Sequence, residues 1–407
     1  MFHYYIGRQP IFDARLEVFG YELLYRSHDT EGVVNVDGDQ ATSQVLLNSF
    51  MEMGLDALVG DRKAFVNLTR RFILNHELIP EASDQLVLEI LEDIDGDGEI
   101  VEAVRRLKDK GYLIALDDFV YRRSLRPLLE LADIIKVELP ALTREDLEAH
   151  VAALRHYPLQ LLAEKVETHE EFDFCKSLGF DLYQGFFLCK PKTLKGRRAP
   201  TNRLNTMQML AKLQDPDVEI PELEKIISRD ITLSYKLLRY INSAAFALRN
   251  KIESIRHAIV YLGLREVKNW ASLIALANID DKPNELFVTA LTRARMCELI
   301  CEHTGIGNKG TAFIVGLFST LEAIMDAPLD ELLQSIPVVP EVPQALLHNE
   351  GPYADILHTT LAYERGQWDQ VRLLLLPTTT TDIYMRAVKW SMQAAGVIRS
   401  ADDELAA

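Results

Sequence analysis

Polar and charged residues recur at the ends of short apolar runs in the first half of the chain. They are Asn67 in AFVNL, Glu89 in LVLEIL, the pair Asp117 and Asp118 in YLIALDDF, Lys136 in DIIKVEL, Glu164 in LQLLAEKV and Gln184 in FDLYQGFF. The steps between them are 22, 28, 19, 28 and 20 residues, the length of a strand followed by a helix. In a closed barrel such residues all gather at the rim where the strand-to-helix loops open, which is the rim that holds active sites. Any one of them is accounted for as a helix cap, because Asp and Asn are favoured where a strand gives way to a helix. A run of successive units, with Glu and Lys among them, favours a site over capping.

Carboxylate and amide oxygens without a His or Cys cluster suit hard divalent cations such as Mg²⁺ or Mn²⁺ better than zinc or copper. Adjacent Asp117 and Asp118 could serve two ions. Two ions about 4 Å apart would neutralise a phosphodiester, activate a water and steady the leaving oxygen. The same carboxylates without a cation would repel one another.

The elements that must position these residues are legible as rhythm. From Ala64 to Pro191 apolar runs alternate with amphipathic stretches, which implies a parallel sheet or barrel. Between Glu99 and Lys110, Ile100, Val104 and Leu107 fall on one helical face, and Gly111 ends the helix. After Pro191 the segment KTLKGRRAP has no apolar period and reads as an exposed linker, its positive cluster being a lesser candidate for phosphate contact. Beyond Thr201 the pattern is helical, with Leu223, Ile226 and Ile227, then Leu233, Leu237 and Leu238, recurring at helix spacing. Pro337, Pro340 and Pro343 divide that half into a larger bundle and a final helical group reaching about Val397.

At 407 residues the chain suits two domains, and 48% hydrophobic with 26% charged residues is the composition of a chain that folds throughout. A net charge of −17 argues against sequence-independent nucleic-acid binding, which needs Lys and Arg to neutralise phosphates. The N-terminus lacks a signal-peptide pattern and no apolar run approaches membrane-spanning length, so a cytoplasmic protein with no membrane association is expected. Cys175, Cys189, Cys297 and Cys301 are too few and scattered for a disulfide framework. Cys297, Cys301 and His303 could be a fragment of a metal site, but helix spacing accounts for the two cysteines as packing.

The first half, from about Gly7 to Pro191, resembles the EAL domain of cyclic di-GMP signalling. The Glu-Ala-Leu signature stands here as Glu22-Leu23-Leu24 in YELLYR, with Arg26 at the spacing of the family's substrate-contacting arginine. FVNL supplies Asn67, LEILE supplies Glu89 and Glu92, ALDDF supplies Asp117 and Asp118, IIKVE supplies Lys136, AEKVET supplies Glu164 and Glu167, and YQGFF supplies Gln184. The resemblance implies a TIM-like (β/α)₈ barrel in which Glu22, Asn67, Glu89 and Asp117 hold one metal, while Asp117 bridges to a second held with Asp118 and Glu164. It implies that Lys136 helps position the hydrolytic water and that Glu164 accepts its proton. Glu167 and Gln184 support substrate and metal geometry, Arg26 and Gln184 contact substrate, and the product is linear pGpG.

The chain departs from the family in three places. Active relatives follow the two aspartates with a glycine- and serine-rich loop, where this chain has VYRRSLRP. The usual Asp after the Lys-Ile pair is Glu138, following Lys136 and Val137, and the usual Gly after the rim Glu is Lys165.

The second half resembles an HDOD domain, an all-α relative of the HD phosphohydrolases, through RDITLSYKLLRYINSAAF and SIRHAIVYLGLREVKNW. It has no adjacent His-Asp pair after residue 200, so His257, His303, His348 and His358 read as capped or packed helix histidines. Asn242 and Ser243 mark a helix interruption that reads as a structural cap, a ligand or partner groove being the lesser reading.

Together, with RARMCELICE from Arg293 to Glu302, the chain resembles the EAL-HDOD family of bacterial signalling proteins. The expected organisation is an EAL barrel over residues 1–191, a linker over 192–203 and an all-α HDOD domain with C-terminal helices over 204–407. The expected function is metal-dependent hydrolysis of cyclic di-GMP, with the HDOD domain meeting a protein partner and a homodimer among the assemblies the resemblance allows. Two alternatives stand beside it: a catalytically weak cyclic di-GMP receptor, and a protein-interaction scaffold whose barrel site is a relic.

Overall fold

The computed structural model describes residues 3–28, 55–75, 79, 84–119, 125–190, 201–215, 217–229, 231–242, 252, 254–277, 279, 282–371, 373 and 375–406. These form two compact units. One is built on residues 1–188, with which segments 364–366 and 376–381 group, and the other on the remainder. No helix among the described residues is long and apolar enough to cross a membrane.

The first unit is a barrel. Strands β1 (His3–Asp13), β2 (Val18–His28), β3 (Lys63–Leu68), β4 (Leu86–Ile90), β5 (Leu113–Leu116), β6 (Ile134–Glu138), β7 (Gln160–Glu164) and β8 (Leu182–Gln184) close in sequence order. Strands β2 to β8 pair in parallel, whereas β1 runs antiparallel to both β2 and β8. The β1–β2 turn is closed by Asp13, whose carboxylate accepts from the backbone N–H groups of Arg15 and Glu17 at 2.8 and 2.9 Å. The strand-helix rhythm therefore begins at β2, and the hairpin before it has no counterpart in that rhythm.

A layer of Ile11, Phe65, Val87, Ala115, Ile134, Leu162 and Leu182, at most 1% exposed, fills the barrel interior. Strand β2 contributes Gly20 at the corresponding place, where a Cβ would lie 3.0 Å from the Phe65 ring and 2.8 Å from the Lys63 carbonyl oxygen. Side chains alternate along a strand, so residues two apart share a face. Two residues beyond Gly20, Phe65, Val87, Ala115, Ile134, Leu162 and Leu182 stand Glu22, Asn67, Glu89, Asp117, Lys136, Glu164 and Gln184. On the reversed strand β1, Gln9 lies two residues before Ile11. The polar layer thus rests on an apolar floor.

Helices set the strand spacing. Helix α1 (Gly98–Asp109) is capped by Asp97, which accepts from the Glu99 and Ile100 amides, and buries Ile100, Ala103, Val104 and Leu107. It matches the amphipathic stretch expected there, with Gly111 at φ 93° just beyond it. Helix α2 (Arg144–Leu154) starts on a Thr143 cap, and α3 (His169–Leu178) on a capping box between Thr168 and Glu171, ending at Gly179 with φ 90°.

The second unit is helical, as expected. Its longer helices are α4 (Thr201–Gln214), α5 (Ile220–Ser228), α6 (Ile231–Ile241), α7 (Ile255–Leu262), α8 (Leu264–Ala277), α9 (Asn284–Thr304), α10 (Lys309–Phe318), α11 (Pro352–Glu364) and α12 (Pro377–Ala406), with shorter segments between α10 and α11. Leu223, Ile227, Leu233 and Leu237 are fully buried. Trp270 packs on Tyr240 at 3.8 Å and on Trp390 at 5.2 Å between ring centroids. Asn242 donates to the Leu238 and Ile252 carbonyls and accepts from the Ile252 amide, a structural cap, while Ser243 lies outside the described residues. Cys297 and Cys301 are buried, the first against the Thr360 hydroxyl and the second donating to the Ile306 carbonyl, which is packing. Residues 192–200 of the expected linker lie outside the described residues, and α4 is under way from Thr201, inside the span expected for the linker.

Candidate active site

Lys136 is 1% exposed and its ammonium lies inside the polar layer. Its Nζ is 2.8 Å from Asp117 Oδ1, 2.9 Å from Glu89 Oε1, 3.0 Å from Glu164 Oε1 and 3.6 Å from Glu22 Oε1. Those partners come from β2, β4, β7 and the end of β5, so closure of the barrel brings them together. Gln184 Nε2 donates to Glu22 Oε2 at 2.6 Å and to Gln9 Oε1 at 3.1 Å. Asn67 stands opposite Glu89 in the β3–β4 register.

Asp118 follows directly, held between two backbone anchors: the Asp117 amide donates to the Ile90 carbonyl and the Phe119 amide to the Lys136 carbonyl. Its φ of 40° lies in the left-handed region, which Asp tolerates better than most residues. Oxygens of Asp117, Asp118 and Glu164 lie within 4.8 Å of one another, a spacing that one cation bridges. A cavity of about 160 Å³ opens beside Asp117 and Asp118, walled by Ile90, Ile94, Leu116 and Phe119, with Glu92 at its edge.

The charge balance is unusual. Glu22, Glu89, Asp117, Asp118 and Glu164 are five carboxylates beside one ammonium, which gives −5 + 1 = −4 if all are ionised. Burial opposes the Lys136 charge, but Glu22, Glu89, Glu164 and Asp117 outweigh it and keep the amine protonated, well above the usual lysine range. Burial also pushes the Glu89 carboxyl well above the usual range despite Lys136, and it pushes Glu164 up to about 8 against the pull of the same ammonium. Asp118 is raised by burial and by Asp117 and Glu138. Without a cation, protons relieve the repulsion.

Glu89 Oε2 and Gln184 Oε1 are buried and have no hydrogen-bond partner among the described residues. Buried polar atoms are seldom left so, and both side chains belong to the polar layer around Lys136 and Glu22. This donor set fits a hard divalent cation.

Of the residues singled out in the sequence, Glu22, Glu89, Asp117, Lys136, Glu164 and Gln184 therefore meet directly, with Asp118 beside them. Glu167 is exposed at the start of α3, where its amide donates to Glu171 Oε2 at 2.7 Å. Arg26 pairs with Tyr5 in the β1–β2 register, and its side chain lies outside the described residues. Residues 120–124 of the VYRRSLRP segment after Phe119 also lie outside them. The sequence reading missed Gln9, whose only signal was its place two residues before an interior Ile on a reversed strand. It also left open the direction of Lys165, which pairs with Glu138 at 2.8 Å.

Gly185, next to Gln184, has φ 151°, and a Cβ there would fall 2.0 Å from the Val166 carbonyl oxygen. Its bare backbone lets the segment after Glu164 cross the end of β8, where the Val166 amide donates to the Gln184 carbonyl at 2.9 Å.

The chain matches family models for the EAL domain over residues 9–191 and the HDOD domain over residues 200–334. It is 32% identical over 376 residues to a protein of Vibrio cholerae serotype O1 named cyclic di-GMP phosphodiesterase CdgJ, covering 91% of this chain and 87% of that protein. It is also 32% identical over 398 residues to uncharacterized protein YuxH of Bacillus subtilis, covering 95% of this chain and 97% of that one. A solved structure described as PaMucR phosphodiesterase in complex with c-di-GMP is 25% identical and covers 50% of this chain and 99% of that chain, with a TM-score of 0.39. Identity sustained across both the barrel and the helical unit means that the chain belongs to the EAL-HDOD family of bacterial cyclic di-GMP signalling proteins.

Proposed function

We propose that this protein is a divalent-cation-dependent phosphodiesterase that opens cyclic di-GMP to linear pGpG in its barrel, with the HDOD domain as the regulatory or partner-binding module. The observation that carries this reading is the ring of carboxylates around the buried Lys136, those of Glu22, Glu89 and Glu164 buried and that of Asp117 half-buried. The name of the Vibrio cholerae relative supports it over 91% of the chain.

In this reading Glu22, Asn67, Glu89 and Asp117 hold one cation and Asp117, Asp118 and Glu164 a second, with Mg²⁺ or Mn²⁺ as the ions. Bound cations supply charge neutralisation at the scissile phosphate and a more acidic water. Lys136, protonated and held by four carboxylates, keeps those groups at fixed separations and orients the attacking water. Glu164, 3.0 Å from the Lys136 ammonium and grouped with Asp117 and Asp118, is the carboxylate that accepts the water's proton, a bound cation keeping it ionised. Gln184 orients Glu22 and, with Arg26, contacts the substrate. Glu167 supports the loop after β7 through the capping box of α3. Val260 and Tyr261 on α7, 75% and 59% exposed, mark a surface for a protein partner of the HDOD domain.

Purified full-length protein with Mg²⁺ or Mn²⁺ and cyclic di-GMP is expected to release pGpG, resolved by liquid chromatography. Glu22→Ala and Glu164→Ala are expected to abolish release. No product from folded wild-type protein overturns the reading. One observation favours a receptor that binds without efficient turnover: the Lys165 ammonium, whose charge acts on Asp118 and Glu164. Calorimetric titration with cyclic di-GMP, showing binding in the absence of product, distinguishes that case.

A further inference from the structure

Strands β6 and β7 end side by side, with Glu138 opposite Glu164 in the parallel register. The next residue after Glu164 therefore emerges beside the Glu138 carboxylate. That residue is Lys165, whose backbone φ is 55°. Glycine or asparagine takes this left-handed conformation with less strain than lysine. The side chain placed there at that cost pairs its Nζ with Glu138 Oε1 at 2.8 Å.

The pair lies at the mouth of the site. Lys165 is 59% exposed and Glu138 23%, so water competes for both charges and the pairing is readily exchanged. The Lys165 charge also acts on Asp118 and Glu164, and Asp118 has both Glu138 and Lys165 among its charged neighbours. Asp118 and Glu164 are two of the three residues whose oxygens lie within 4.8 Å of one another. A side-chain cation thus stands at the edge of the cluster, and a carboxylate outside the cluster pairs with it. A shorter aspartate at 138 would have one methylene less with which to hold that ammonium.

We infer that Lys165 is a tethered cation that weakens divalent-ion binding at Asp117, Asp118 and Glu164, with Glu138 as the tether that keeps the ammonium from settling on Asp118. The inference rests on reading those three residues as the second cation position. Its functional consequence is a site whose second ion is held loosely, so that occupancy follows the supply of divalent cation.

The test reads Mn²⁺ binding to the full-length protein without nucleotide, from the loss of the free-ion electron paramagnetic resonance signal. Lys165→Gly and Lys165→Asn are expected to tighten the weaker class of Mn²⁺ site by about fivefold, the effect of removing one like charge near a partly solvated cluster. Lys165→Arg, which keeps the charge, is expected to leave it at the wild-type value. Glu138→Gln is expected to weaken it, and most of that weakening should vanish when Lys165→Gly is added, because the freed ammonium is then gone. Both neutral residues tolerate the left-handed backbone, and thermal unfolding verifies that each variant is folded. Unchanged Mn²⁺ affinity in both neutral variants overturns the inference, as does a Glu138→Gln effect of equal size with and without Lys165. Absence of Mn²⁺ binding in every variant also overturns it. The pGpG assay reads the proposed activity separately, so failure of one reading is distinguishable from failure of the other.

Discussion

Gln184 donates to Glu22 Oε2 at 2.6 Å, joining β8 to β2 across the reversed strand β1. The bond fixes the orientation of the Glu22 carboxylate where the barrel closes, and a second bond at 3.1 Å ties Gln184 to Gln9. Groups that orient a metal ligand typically contribute about 10- to 100-fold to metal affinity. Gln184→Leu is therefore expected to weaken Mn²⁺ binding by about that factor, read by calorimetry. An affinity equal to wild type would mean that Glu22 needs no such support.

Lys136→Met should separate the electrostatic role of the ammonium from any role in turnover. Removing one member of a buried charge cluster leaves the others uncompensated, at a cost of roughly 3–5 kcal/mol. The variant is expected to unfold at lower denaturant than wild type in the presence of a chelator, and to recover much of the difference when Mn²⁺ is added. Equal stability in chelator would show that the ammonium does not stabilise the carboxylates around it.

Burial holds the Glu164 carboxyl at about 8, against 4.5 for the ordinary group. The folded state binds this proton more tightly than the unfolded chain does, so the group favours folding most at low pH. That contribution is lost progressively as pH rises from about 4.5 to about 8, and does not change further above it. Metal-free wild-type protein should show this decline in urea midpoints across the interval, and Glu164→Gln should flatten it. The same slope in both proteins would assign the pH dependence to other groups.

Two glycine substitutions should differ sharply. At Gly185 a Cβ would meet the Val166 carbonyl oxygen at 2.0 Å and the Val166 amide at 2.6 Å, on a backbone with φ 151°. Gly185→Ala is expected to destabilise the barrel by about 3 kcal/mol or more, since neither backbone can yield. Gly98, in the first turn of α1, has nothing within 4 Å of an added Cβ, so Gly98→Ala should be neutral or mildly stabilising. Thermal unfolding of the two variants gives the comparison, and similar values would contradict it.

The period of two along each strand made much of the site legible before any coordinates. Phe65 and Asn67, Val87 and Glu89, Ile134 and Lys136, and Leu162 and Glu164 are each an interior apolar residue followed two positions later by a polar one. Such a local pattern survives in sequence because neighbouring side chains on one face must serve one environment. The α1 helix was legible for the same reason, through Ile100, Val104 and Leu107. The hairpin was not, because β1 is reversed and its interior residues follow no strand-helix spacing.

What the amino-acid sequence determined by itself was the set of residues at the rim and the class of cation they suit, since residue type and strand period are local properties. It also determined the family, through motifs carried in both halves. Which carboxylates share the Lys136 ammonium was decided only in the tertiary structure, because the partners come from four separate strand ends that meet only when the barrel closes. The same holds for Gln184, which finds Glu22 across β1, and for Lys165, whose direction depends on a left-handed backbone and on the reach of Glu138 in the neighbouring strand. Charge and type are written along the chain, whereas the distance between charges is fixed by strand register and closure.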